Sequence, residues 1–199
     1  MKLVLASSSP RRQELLQRAG FEFEVRPSGA EEVRARGESA EDFARRAARE
    51  KSLAAAASSP PGSLVLGADT VVDIGGLLLG KPADQDDAVR MLRLLSGASH
   101  RVVTGVCLVH APGEILAVAH ETTIVRFRYL EEEEIRDYVR SGEPLDKAGA
   151  YAIQGLASRF VTRIEGCYFN VVGLPIPLVY DLLKPFLRLS REIIGSSAH

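Results

Sequence analysis

The chain has 199 residues, 46% of them apolar, and a formal net charge of −1 at pH 7. That is the make-up of one globular domain (1–199), single or two-lobed, with a real core, and it lacks the global basic field of a nucleic-acid-binding protein. Cys107 and Cys167 stand far apart with no CxxC pattern, so a disulfide framework is not expected and a reducing cytoplasm is. There is no signal-peptide pattern and no apolar run long enough to span a bilayer, so no membrane partner is expected.

In chain order, residues 2–6 predict a short buried strand. Ser9 suits a helix N-cap and Pro10 the first helical position, with Leu15, Leu16 and Ala19 on one face and Gly20 as the stop. Residues 21–26 alternate like a strand. "SAED" at 39–42 is a capping-box pattern that opens an alanine-rich helix to about residue 57. "LVLGADTVVDI" (64–74) is a strand, and "GG" turns it into a hairpin with "LLLG". Asp84 caps a helix with Ala88, Met91, Leu92 and Leu95 inward. Long strands follow over 100–110 and 114–130. "EEEE" (131–134) opens a helix to about Arg140, its acids favoured by the dipole. Residues 141–155 are loop-rich, strands are expected near 159–165 and 168–172, and a last helix starts at Pro177. Residues 186–199 are the end of that helix and a tail, frayed from Ser190. The fold class is α/β, a mixed twisted sheet with flanking helices.

Four stretches carry candidate chemistry. In "SSSPRR" (7–12) a strand ends in hydroxyls and a helix begins, which is a ready anion site. Arg11 and Arg12 there oppose the helix dipole, a conflict that a bound phosphate removes. The bland alternative is a capped helix with solvated arginines. On the functional reading, loss of Arg12 weakens turnover and leaves the fold intact. "GGLLLGK" (75–81) has P-loop spacing, but Pro82 replaces the Ser/Thr and the segment lies on a hairpin, so a P-loop is rejected. Lys81 remains a candidate phosphate contact, or else a surface lysine. "GADT" (67–70) puts a carboxylate, Asp69, into an apolar strand, where it needs a partner or a metal unless the strand is an edge facing water. "GEPLDKAGAYAIQG" (142–155) gathers Glu143, Asp146, Lys147 and Gln154 among glycines, as a ligand loop or as a salt-bridged surface loop. Gln154 could read a base edge with its amide. The histidines show no zinc spacing, and no G-x-S-x-G elbow is present.

"LASSSPRR", "ESAEDFARRAAREK", "GADTVV", "GKP", "LSGASHRVVTGV", "SGEPLDKAGAYAIQG" and "NVVGLP", in this order and spacing, resemble the Maf family of nucleoside triphosphate pyrophosphatases from about Leu3 to about Pro185. The resemblance implies a fold similar to inosine triphosphate pyrophosphatases, with two lobes around a cleft. It implies cleavage between the α- and β-phosphates with a divalent cation (Mg²⁺, Mn²⁺ or Co²⁺), and a homodimer. Ser7, Arg11 and Arg12 match the family's phosphate-binding residues, and Lys51 and Lys81 its phosphate-side lysines. Glu32 matches an acid near the metal. Asp69 matches the proton acceptor and a metal contact. Arg11, Thr70 and Gln154 look like the subgroup that takes dTTP and UTP. Family links to septum formation leave a second reading, a nucleotide-binding regulator of cell division without important turnover. A third, a nucleic-acid binder using Arg11, Arg12, Arg45, Arg46 and Arg49, is weakened by the balanced charge.

Overall fold

The computed structural model describes residues 2–29, 34, 35 and 37–195, with side chains as far as Leu187. Its strands are β1 (Leu3–Leu5), β2 (Glu24–Val25), β3 (Leu64–Ile74), β4 (Leu77–Leu79), β5 (Ser99–His110), β6 (Glu114–Phe127) and β7 (Val161–Glu165). Its helices are α1 (Pro10–Arg18), α2 (Ala40–Ala56), α3 (Gln85–Leu95), α4 (Glu132–Arg140), α5 (Tyr168–Val172) and α6 (Ile176–Gly195). The seven strands form one mixed sheet in the order β2-β1-β3-β5-β6-β7, with β4 beside β3. β1 runs parallel to β2 and β3, and every other pairing is antiparallel.

The local signals act as the residue types require. Ser39 accepts a hydrogen bond from the Asp42 N–H, and Asp84 accepts one from the Asp87 N–H. Gly75 and Gly76 both have positive φ, 58° and 86°, which the tight β3–β4 turn needs. Small side chains set the α2 contact. Ala44, Ala47, Ala48 and Ala55 are buried against β3 and β5, and glycines answer them on the sheet. A Cβ on Gly105 would come within 2.0 Å of the Ala44 carbonyl oxygen, and one on Gly67 within 2.2 Å of Ser52 Oγ. The helix backbone therefore rests almost directly on the sheet.

Two elements differ from the expectation. Residues 168–172 are helix α5, not a strand. The run "YFNVV" has the residues of a strand, but Asn170 is drawn inward, its Nδ2 donating to Val102 O at 2.9 Å and Thr123 Oγ1 at 3.0 Å. That anchoring overrides a weak propensity. The final helix also runs past Ser190, to Gly195.

The buried residues fall into two main groups. One joins β1, α1, the start of α6 and the first half of β3. The other joins α3, α4, Tyr151 and Phe160 around Val72 and Phe127. A cavity of about 710 Å³ lies between them, lined by residues of both. Among the described residues no helix is long and apolar enough to cross a membrane.

Candidate active site

The cavity follows from a gap in strand pairing. On one side β3 is paired with β5 along nearly its whole length. On the other side, β1 covers only Leu64–Leu66, and β4 begins only at Val72. Residues 67–71 lie between those neighbours, and they include Asp69 and Thr70. The chain leaving β1 turns away at Ala6, whose N–H still reaches Leu66 O at 2.8 Å. It then runs through Ser7–Arg12, which form a wall of the cavity.

Arg12 fills the backbone side of this gap. Its Nη1 donates to Ala68 O at 2.8 Å and to Ser7 Oγ at 3.3 Å, and its Nη2 donates to Thr70 Oγ1 at 3.0 Å. Its Nε donates to Gly173 O, beyond α5, at 2.8 Å. The side chain that the sequence presents as a phosphate contact is nine-tenths buried and ties three segments together. Ser7 is drawn into the same network and also accepts from the Ser9 N–H at 3.2 Å. Ser9 holds the N-cap position of α1, but its side chain makes no cap bond. Thr70 faces Thr104 across the β3–β5 ladder, their hydroxyls 2.9 Å apart.

Asp69 alternates to the α2 face. Its carboxylate is almost fully buried, and Lys51 from α2 donates to Oδ1 at 2.6 Å. The opposite residue in the ladder is Gly105, and its lack of a side chain lets α2 come close enough for Lys51 to reach. A buried carboxylate needs such a partner. Both groups border the cavity, as do Lys81 at the end of β4 and Gln154 from the 142–156 loop.

Arg11 turns towards that loop. Its Nη1 lies 3.3 Å from Asp146 Oδ2, and Lys147 Nζ donates to Asp146 Oδ1 at 2.5 Å. Asp146 has a lowered pKa. Burial alone would raise it, but Lys147 and then Arg11 outweigh that. Of the sequence-derived candidates, Ser7, Arg11, Arg12, Lys51, Asp69, Thr70, Lys81 and Gln154 all border this one cavity. Glu32 lies outside the described residues. In the other arginine cluster, Arg45 pairs with Asp42 and Arg46 with Glu38, just before α2, and with Glu50.

Thr104, Gly173 and Tyr151 belong to the site and were not found by sequence reasoning. Thr104 enters through register: with Asp69 opposite Gly105 in the β3–β5 ladder, Thr104 falls opposite Thr70. Gly173 enters only through its carbonyl, which no side-chain pattern reveals.

For a divalent cation the cavity offers carboxylate oxygen without a closed cage. Among the described residues no three His, Cys, Asp or Glu side chains gather as a metal cage. The cavity does hold the Asp69 carboxylate with lysine and arginine near it. Mg²⁺-type ions commonly take one or two protein carboxylates and complete their shell with water and substrate phosphate. The residues present fit that mode, with Asp69 as the protein ligand.

An α/β sheet with a polar, cation-lined cavity at an interrupted strand edge defines a small-molecule site suited to a polyphosphate. Residues 2–186 match the family model described as "Maf-like protein", and the chain belongs to that family. A dTTP/UTP pyrophosphatase of Koribacter versatilis is 53% identical over 184 residues, covering 92% of this chain and 94% of the relative. That of Thermococcus gammatolerans is 52% identical over 183 residues, covering 90% and 94%. A solved nucleoside-triphosphatase / dITP/XTP pyrophosphatase from Mycobacterium abscessus aligns with a TM-score of 0.38 at 21% identity, covering 64% of this chain and 73% of that one.

Proposed function

We propose that the protein hydrolyses dTTP and UTP between the α- and β-phosphates, releasing the monophosphate and pyrophosphate. The observation that carries this reading is the Lys51–Asp69 pair at the open stretch of β3, in a cavity that also holds Arg11, Lys81 and Gln154. The names of the relatives supply the nucleotide. In this reading Asp69 accepts the proton of the attacking water. Lys51 fixes the carboxylate by a charged hydrogen bond, which orients the acceptor oxygen. Arg11, Lys51 and Lys81 face the triphosphate and balance charge as the bridging bond breaks. Arg12 and Ser7 hold the strand that carries Asp69 and Thr70, so the acid is positioned before substrate arrives. A divalent cation held by Asp69, together with Glu32, would neutralise phosphate charge. No covalent intermediate is required.

Gln154 reads the base. Uracil and thymine present an N3–H between two carbonyls, and one amide can both accept from that N–H and donate to a carbonyl. Cytosine reverses part of that pattern and leaves polar groups unpaired. The test is pyrophosphate release from UTP, dTTP, CTP, ATP and GTP with Mg²⁺, Mn²⁺ or Co²⁺. Turnover that favours UTP and dTTP supports the reading. Equal rates on all five nucleotides refute the base assignment, and no pyrophosphate from any of them refutes the activity.

A further inference from the structure

Gln154 is exposed, and a flexible amide discriminates between bases only if its backbone is held. The structure contains a holding device that the reaction itself does not need. The loop returns on itself, so that Glu143 near its start meets Gly155 and Leu156 at its end. Glu143 Oε1 accepts from the Tyr138 hydroxyl at 2.9 Å, and Oε2 accepts from the Leu156 N–H at 3.0 Å. Gly155 lies flat against that carboxylate: a Cβ there would fall 2.2–2.5 Å from its atoms. Its φ of −103° is open to any residue, so a side chain there would act by pushing the Glu143 carboxylate away from its present position. Tyr138 is fully buried in α4, edge-on to Phe160 with ring centroids 5.3 Å apart, and so is a fixed anchor. Lys147 Nζ donates to Glu143 O at 2.7 Å and ties the start of the loop to its middle.

We propose that Glu143 is a specificity-positioning residue: it fastens the peptide that follows Gln154 to Tyr138 and so fixes the amide that reads the base. This rests on the reading of Gln154 given above. A brace that served only the fold would, when removed, lower turnover of all nucleotides together. A positioning residue changes the ratio between them.

The experiment measures kcat and KM for UTP and CTP, with melting temperature, on the wild type, Gln154→Ala, Glu143→Ala, Glu143→Gln and Tyr138→Phe. Glu143→Ala should cut the UTP/CTP ratio of kcat/KM by about tenfold or more, mainly through KM for UTP, since a base-reading site left unpaired loses discrimination sharply. Glu143→Gln should recover most of the ratio, because its oxygen can accept from Leu156 N–H while its amide donates to the Tyr138 hydroxyl. Tyr138→Phe removes only the anchoring donor and should lower the ratio to a lesser extent. It decides the matter if Glu143→Ala does not fold. If Gln154→Ala loses the ratio while folded Glu143→Ala, or Tyr138→Phe in its place, keeps it, the proposal is overturned and the base reading stands. A ratio that Gln154→Ala leaves unchanged overturns the base reading, and the proposal with it.

Discussion

Asp69 and Arg12 divide the site's labour, and replacing each should fail differently. Asp69→Asn keeps the shape and lets the amide oxygen still face Lys51, but it removes the proposed proton acceptor. The expected loss in kcat is about 10²–10⁴-fold, with nucleotide binding retained. Isothermal titration with a slowly hydrolysed analogue, beside steady-state rates, separates the two effects. A variant within a few-fold of wild type would move the base elsewhere, Glu32 being the first candidate. Arg12→Ala leaves the Ala68 carbonyl without its side-chain donor and the Gly173 carbonyl with only the longer contact from the Thr70 hydroxyl, 3.4 Å. Where the sequence alone led one to expect an intact fold, these bonds predict that about 2–4 kcal/mol of stability goes with activity, at ~1–3 kcal/mol per buried group left unsatisfied. Arg12→Lys keeps the charge and loses the fork that serves four acceptors, so it should rescue little. Denaturant unfolding of both variants checks this, and wild-type stability in Arg12→Ala would show that the Arg12 network does not hold the fold.

Among the elements, β3 and α2 matter most, because their separation sets the Lys51–Asp69 contact. Gly105→Ala would drive a methyl into the Ala44 carbonyl. The expected cost is about 1–3 kcal/mol, as for other overpacked sites, at roughly 2–4 °C of melting temperature per kcal/mol in a chain of this size. Activity should fall further than stability accounts for, since α2 carries Lys51. A scan of melting temperature beside kcat reads both. These elements were also the legible ones. "LVLGADTVVDI", the "GG" turn and the capping residues Ser39 and Asp84 announce β3, its hairpin, α2 and α3 by local chemistry alone. The same holds for Asp69, whose charge inside an apolar run has few explanations. What stayed hidden depends on partners distant in the chain. Residues 168–172 read as strand because nothing in "YFNVV" tells of Asn170 being held by Val102 and Thr123. The bracing role of Arg12 was hidden because a guanidinium meeting backbone carbonyls leaves no mark on their sequence. The interrupted edge of β3 is likewise a matter of register, where β1 ends and β4 begins.

At the scale of the whole molecule, His100 couples stability to acidity. It is 2% exposed, its Nε2 is 2.8 Å from the Tyr151 hydroxyl, and it sits edge-on to Phe127 and Tyr151. Burial pushes its pKa down to about 4 from the usual 6.5. The unfolded chain therefore binds the proton first, so stability falls as pH drops from about 6.5 towards about 4 and levels off below. The full effect is on the order of 3 kcal/mol. His100→Gln, which can still meet the Tyr151 hydroxyl, should flatten melting temperature against pH over that window, and an unchanged slope would assign the acid sensitivity to other groups. The knot at Arg12 acts on the same scale. Its guanidinium is closed by the carbonyl of a residue 161 positions further along the chain. A ribosome delivers Ser7, Lys51 and Asp69 well before Gly173. A nascent chain can thus build most of the sheet and still lack the clasp over the open edge of β3. While it grows it has the acid and the lysine but no finished cavity, and the clasp can close only once Gly173 has been made.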